Sequence, residues 1–115
     1  MINKRDIGKN YESVAADYLR KKNFVILDMN FQTRSAEIDI VARDKEYLVF
    51  VEVKYRKDLS HGDPLEAVTR TKQQRIRRAS LFYMKVNGYN PEITSIRYDV
   101  IGIRGEEITH IEAAF

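Results

Sequence analysis

Two short phrases hold the residues best suited to chemistry, Glu37-Ile38-Asp39 and Glu52-Val53-Lys54. Side chains of an extended strand alternate between faces, so Glu37 and Asp39 share one face, and so do Glu52 and Lys54. The connection Asp44-Lys45-Glu46 is short and polar, which predicts a hairpin between the two segments. Closing it around residues 44 to 47 sets Asp39 opposite Glu52 and Glu37 opposite Lys54. A register shift of two keeps all four on one face. Three carboxylates and one ammonium then crowd a small area. Facing carboxylates repel, which raises one pKa or calls for a cation between them. Oxygen donors so spaced suit Mg²⁺, which keeps several waters and takes few protein carboxylates. The stretch from Leu48 to Lys54 otherwise reads as a strand buried on both faces, where a lone charge is expensive. A cross-strand Glu–Lys salt bridge at the sheet end would explain E-x-K alone. The full set of E-x-D, hairpin and E-x-K argues for a metal site.

A second concentration of charge lies further along. The chain has 20 basic and 17 acidic residues, a net charge of +3. Between Ala67 and Asn90 stand Arg70, Lys72, Arg75, Arg77, Arg78 and Lys85 with no acid, so the remainder is net acidic. Such a block reads either as a phosphate-binding surface or as a solvated helix face. The helix carrying it has an apolar stripe of Leu65, Val68, Ile76, Ala79 and Tyr83, and Lys72 stands where that stripe needs a residue. Lys72 either snorkels or points toward the carboxylates or a bound phosphate. Arg75 and Arg78, three apart, share a different face.

Elements must hold these groups in place. Ile7, Tyr11, Val14, Ala15, Tyr18 and Leu19 fall at helical spacing, with Asn3 or Asp6 as cap and an end near Lys22–Asn23. Phe24 to Asn30 is β-rich, and Gln32 to Ser35 is a polar turn. Ala36 to Arg43 and Tyr47 to Tyr55 are the hairpin strands. A loop with Gly62 and Pro64 precedes the second helix, Leu65 to about Val86, which Asn87-Gly88 stops. Ser95 to Ile103, a turn at Gly105-Glu106, and Ile108 to Ala113 complete a β-hairpin. The order is α-β-β-β-α-β-β, an α/β mixed sheet flanked by helices. No repeat or linker divides residues 1–115, so one domain is expected.

Composition excludes several chemistries. With no cysteine there is no thiol nucleophile, disulfide or cysteine-held metal. His61 and His110 are too far apart for a zincin helix, and His61, beside Gly62-Asp63-Pro64, reads as a turn residue or a proton-transfer aid. The aromatic residues fall mostly at core spacings rather than forming a stacking platform. The longest apolar run, Tyr47 to Val51, has five residues, so neither a signal peptide nor a membrane span is expected, and the protein reads as cytoplasmic.

The ordered set Glu12, Glu37-Ile38-Asp39, Val51-Glu52-Val53-Lys54, Lys72 in a basic helix, and Arg97-Tyr98-Asp99-Val100 resembles the YraN-type family of small bacterial proteins. That likeness extends from about Asn3 to Ile103. The family is assigned to the PD-(D/E)xK nuclease superfamily, near the archaeal Holliday-junction resolvases. The resemblance implies a restriction-endonuclease-like three-layer core and Mg²⁺- or Mn²⁺-dependent phosphodiester hydrolysis in branched or structured DNA. It implies Asp39 and Glu52 as metal ligands and Lys54 as the residue that orients the attacking water. Glu37 and Glu12 would complete the acidic site, and Lys72 would be an auxiliary cation. Arg70, Lys72, Arg75 and Arg78 would contact nucleic-acid phosphates, and a homodimer cutting two strands is a further implication. Tyr11 and Ala36 stand where the family usually has glycine. The competing expectation is an inactive nucleic-acid-binding or assembly module on the same fold, against which the intact Asp39, Glu52 and Lys54 count.

Overall fold

The computed structural model describes residues 4–56 and 68–115. Its elements are α1 (Lys4–Lys21), β1 (Val25–Gln32), β2 (Glu37–Asp44), β3 (Tyr47–Arg56), α2 (Arg70–Val86), β4 (Ser95–Arg104) and β5 (Glu107–Ile111), in the expected α-β-β-β-α-β-β order. The five strands form one sheet in the order β1-β2-β3-β4-β5. Neighbours pair antiparallel except β3 and β4, which run parallel on either side of the α2 crossover. Neither described helix is long and apolar enough to cross a membrane.

Each helix covers one face of the sheet, giving three layers and two cores. Ala15, Ala16 and Leu19 of α1 pack with Ile40, Ala42, Val49, Val51 and Ile101. Ile76, Ala79, Tyr83 and Met84 of α2 pack with Ile38, Val41, Leu48, Phe50 and Val100. β3 is therefore buried on both sides, and Leu48 to Val51 are each at most 1% exposed.

Both helices end in a Schellman motif. At α1 the Phe24 N–H reaches the Leu19 carbonyl and the Asn23 N–H the Arg20 carbonyl, both at 3.0 Å, with Asn23 left-handed at φ 71°. At α2 the Tyr89 N–H reaches the Met84 carbonyl at 2.8 Å, and Gly88 supplies the left-handed residue at φ 78°. The start of α2 differs from expectation. Residues 65–67 and the Gly62/Pro64 loop lie outside the described residues, as do Asn3 and His61, but Val68 and Thr69 are not helical. Thr69 is extended, and its hydroxyl accepts the Lys72 N–H at 3.2 Å, so the helix begins at Arg70. β1 runs two residues past Asn30, to Gln32. β5 stops at Ile111 rather than Ala113, because Ala113 turns left-handed (φ 50°) and gives its N–H to Asp99 Oδ1 at 3.0 Å.

That last bond belongs to a buried network. Asp99, fully buried in β4, accepts two hydrogen bonds from Arg97 at 2.9 Å and one from His110 Nε2 at 2.8 Å. Lys22 has only donors and lies 2.9 Å from His110 Nδ1, so Nδ1 accepts and Nε2–H is the donor to Asp99. Arg97 also reaches Asp44 at 2.9 Å. Burial opposes the Asp99 charge, but the bonds from His110, Arg97 and Ala113 outweigh it and hold the carboxyl below its ordinary range. Asp99→Ala leaves Arg97 buried without its main partner. Urea unfolding should show a loss of about 3–5 kcal/mol.

Candidate functional site

The site forms where β2 and β3 part. Their pairing runs from Asp44↔Tyr47 to Ile40↔Val51 and goes no further. The next N–H of β3 on that side, at Val53, donates instead to Asp39 Oδ2 at 2.8 Å. β2 also turns over here. Ile38 enters the α2 core and Ile40 the α1 core, although residues two apart in a regular strand share a face. β1 turns with it: Met29, opposite Ile40, packs on the α1 side, and Phe31, opposite Ile38, on the α2 side. Between them Asn30 is left-handed at φ 56°, a conformation asparagine tolerates better than most residues. Asp39 thus sits at the crossing point, within reach of both layers.

From the α1 side comes Glu12. Carboxylate oxygens of Glu12, Glu37 and Asp39 all lie within 4.8 Å of one another. From the α2 side, Lys72 reaches Glu52 Oε1 at 2.8 Å, and Lys54 reaches the same oxygen at 3.2 Å. Glu52 is only 6% exposed, so the two ammonium groups balance a buried charge. Glu37, Asp39, Glu52, Lys72 and Arg75 line one pocket of about 530 Å³, together with the hydroxyl-bearing Thr69 and Thr71.

Burial, then the neighbouring Glu52, Glu12 and Glu37 charges, push the Asp39 carboxyl up to about 8, although the Val53 N–H favours its charged form. Glu12 is raised too, by burial and by Glu37, against hydrogen bonds from Asn30 and Asp39. Burial and the adjacent Lys72 lower Lys54 despite Glu52. For Lys72 burial works against the charge, but its bonds to Glu52 and Lys54 prevail and the net direction is upward. The site therefore has more negative charge than its two lysines balance.

The sequence expectations hold in part. Glu37 and Asp39 come together, Glu52 meets Lys54, and Lys72 on the inward stripe turns to Glu52. Glu37 does not lie opposite Lys54: with β2 turned away from β3, it pairs with Gln32 of β1. Of the two expected metal ligands, Asp39 groups with Glu12 and Glu37, whereas Glu52 stands outside that triad and is held by lysines. Arg75 lines the acidic pocket, while Arg78 lines a neighbouring groove and Arg70 is exposed at the start of α2. Arg77 lies 4.8 Å over the Tyr98 ring and 5.5 Å from that of Phe115, a packing role. Tyr11 stacks on Tyr55 with centroids 3.8 Å apart. Asn30, Thr69 and Thr71 gave no chemical signal in the sequence. A threonine just ahead of a basic helix is a cap signal that could have found Thr69.

Comparison with known proteins gives a consistent assignment. The model of the uncharacterised protein family UPF0102 matches residues 11–103. A UPF0102 protein of Lachnoclostridium phytofermentans is 46% identical over 114 residues, covering 99% of this chain and 96% of that one. One from Photobacterium profundum is 43% identical over 106 residues, 92% of this chain and 85% of its own. One from Vibrio cholerae is 40% identical over 115 residues, 98% and 94%.

The raised Asp39 has a signed consequence. Its folded pKa of about 8 exceeds the ordinary 3.8, so folding takes up a proton between those values. The Asp39 contribution to stability is full below about pH 4 and falls as pH rises toward 8. In chelator, urea unfolding across this window should show the wild type losing up to about 1.4 kcal/mol per pH unit relative to Asp39→Asn. Parallel pH profiles for the two proteins would contradict the shift.

Proposed function

The chain belongs to the uncharacterised protein family UPF0102, and we propose that its carboxylate–lysine site is that of a divalent-metal-dependent endonuclease acting on branched or structured DNA. The observation that carries the reading is Asp39 at the β2/β3 parting, flanked by Glu12 and Glu37 on one side and the lysine-held Glu52 on the other. A relationship to PD-(D/E)xK nucleases and Holliday-junction resolvases is part of the same proposal.

The residues fit a hard cation. Oxygens of Glu12, Glu37 and Asp39 gather within 4.8 Å, and Asp39 needs a proton to sit among them, a role Mg²⁺ or Mn²⁺ can take over. Asp39 would be its central ligand, with Glu12, Glu37 or Glu52 completing the set. Held by these residues, such an ion would supply Lewis-acid chemistry toward a phosphoryl oxygen and an attacking water. Lys54, half-buried and free to place its ammonium beside Glu52, orients the attacking water and stabilises charge developing on the phosphate. Lys72 holds Glu52 in place through their 2.8 Å ion pair. Arg75 at the pocket rim, with Arg70 and Arg78 along α2, meets flanking phosphates. A homodimer cutting two strands is part of the same proposal.

A second reading, a binding or assembly module without turnover, draws on one observation. Two ammonium groups already neutralise Glu52 Oε1, which weakens its case as a ligand. Incubating linear, flapped and four-way DNA with Mg²⁺ or Mn²⁺ separates the two. The nuclease reading expects cleavage that Asp39→Ala abolishes and that Lys54→Ala slows by about 10²–10³. Binding of every substrate without cleavage favours the module.

Salt dependence tests the helix. Removing one phosphate-binding cation should shallow the log–log salt slope of DNA affinity by about 0.7–0.9. The Arg75/Arg78 double alanine variant, which removes two, is expected to show about twice that change across sequences while remaining folded, and Lys72→Ala to impair cleavage more than binding. Unchanged slopes for Arg75/Arg78 would remove α2 from the nucleic-acid interface.

A further inference from the structure

Beside the acidic pocket lies a groove of about 640 Å³, lined by Gln32, Thr33, Arg34, Ser35, Arg78 and Phe82. Ser35 lines both cavities, so the groove adjoins the acidic pocket. Its surface is mostly apolar carbon, and two arginines, Arg34 and Arg78, belong to its lining. Phe82, on the groove wall, is 52% exposed. The ring is not loose. It packs on Phe31 at 6.1 Å, Phe31 on Tyr83 at 5.0 Å, and Tyr83 on Phe50 at 5.8 Å, so a line of aromatic rings anchors it to the core.

The opposite wall is equally fixed. Thr33 Oγ1 accepts the N–H groups of Ser35 and Ala36 at 3.1 Å and donates to the Ala36 carbonyl at 2.8 Å. This locks the β1–β2 turn that carries Arg34. A flat apolar face, two cations, and a polar amide from Gln32 make a preformed cradle for a heteroaromatic ring joined to phosphates.

We propose that this groove is a subsite for one unpaired nucleotide next to the phosphate being cut, its base stacked on Phe82 and its phosphates met by Arg34 and Arg78. The inference rests on the nuclease reading and names its substrate class. Bases inside an intact duplex are covered on both faces by their neighbours and cannot offer one to Phe82. Only a flap, a gap, a frayed end or a branch point presents a free base at the acidic pocket. Cation placement alone would serve any duplex, and the aromatic platform is what selects.

The chain has no tryptophan, so Phe82→Trp puts a single tryptophan in the groove, one that can be excited selectively beyond the absorption of the tyrosines. Titration in chelator with oligothymidylate should quench it, while a blunt duplex of equal length should not. Phe82→Ala should weaken oligothymidylate binding about five- to a hundred-fold, and an abasic strand should erase the difference between wild type and variant. Equal quenching by duplex, no quenching, or an equal loss on the abasic strand overturns the subsite. Quenching that rises with protein concentration alone, with a doubled mass in sedimentation, assigns the groove to a second copy and also overturns it. Asp39-dependent cleavage without quenching removes the subsite and keeps the nuclease. Quenching without any cleavage removes the nuclease and leaves the groove a single-strand binding site.

Discussion

Everything at the site follows from one exchanged hydrogen bond, the Val53 N–H given to the Asp39 carboxylate rather than to a backbone partner. A buried strand cannot leave its neighbour without orphaning polar groups. Asp39 satisfies the freed donor and so allows β2 to turn away from β3. The gap that results admits Glu12 from one helix layer and Lys72 from the other. The residue that permits the opening is thus the one the opening exposes to three further carboxylates, which is why its proton is held so firmly.

Charge in this fold is divided between two clusters, one along β4 and one where β2 parts from β3, and the two are handled oppositely. In the Arg97–Asp99–His110 cluster every strong group has a partner, and the network ties β4, β5 and the end of α1 together. In the Asp39 cluster, negative charge exceeds what Lys54 and Lys72 can balance. The first arrangement favours a single rigid geometry. The second leaves that carboxylate charge unbalanced, a condition that favours a cation and disfavours a bare anion.

Much of this was legible in the sequence, for physical reasons. Period-two alternation and the polar Asp44–Glu46 connection fixed the hairpin register, which the Asp44↔Tyr47 pair reproduces. Lys72 at a stripe position signalled an inward cation, and it reaches Glu52. The limits also have causes. Alternation assumes a regular strand, so it could not reveal that Ile38 and Ile40 serve different cores, nor that Glu37 leaves Lys54. The left-handed Asn30 that accompanies the turn is one ordinary residue among polar neighbours. Asp99 in β4 gave no hint of its network, because His110 and Ala113 come from beyond the next turn, while Lys22 and Asp44 join only through His110 and Arg97.

The crossing at Asp39 also governs which kinds of genetic change this fold can absorb. Substitutions in β2 act locally, each on whichever core that side chain enters. A change of length does not. One residue inserted or deleted between Ile38 and Val41 shifts the strand by one position, so side chains meant for the α1 layer face α2 and the reverse. Both layers would be mispacked at once, and Asp39 would lose the Val53 N–H. Drift in length is therefore confined to the turns flanking this strand, and β2 can diverge in composition far more readily than in residue count.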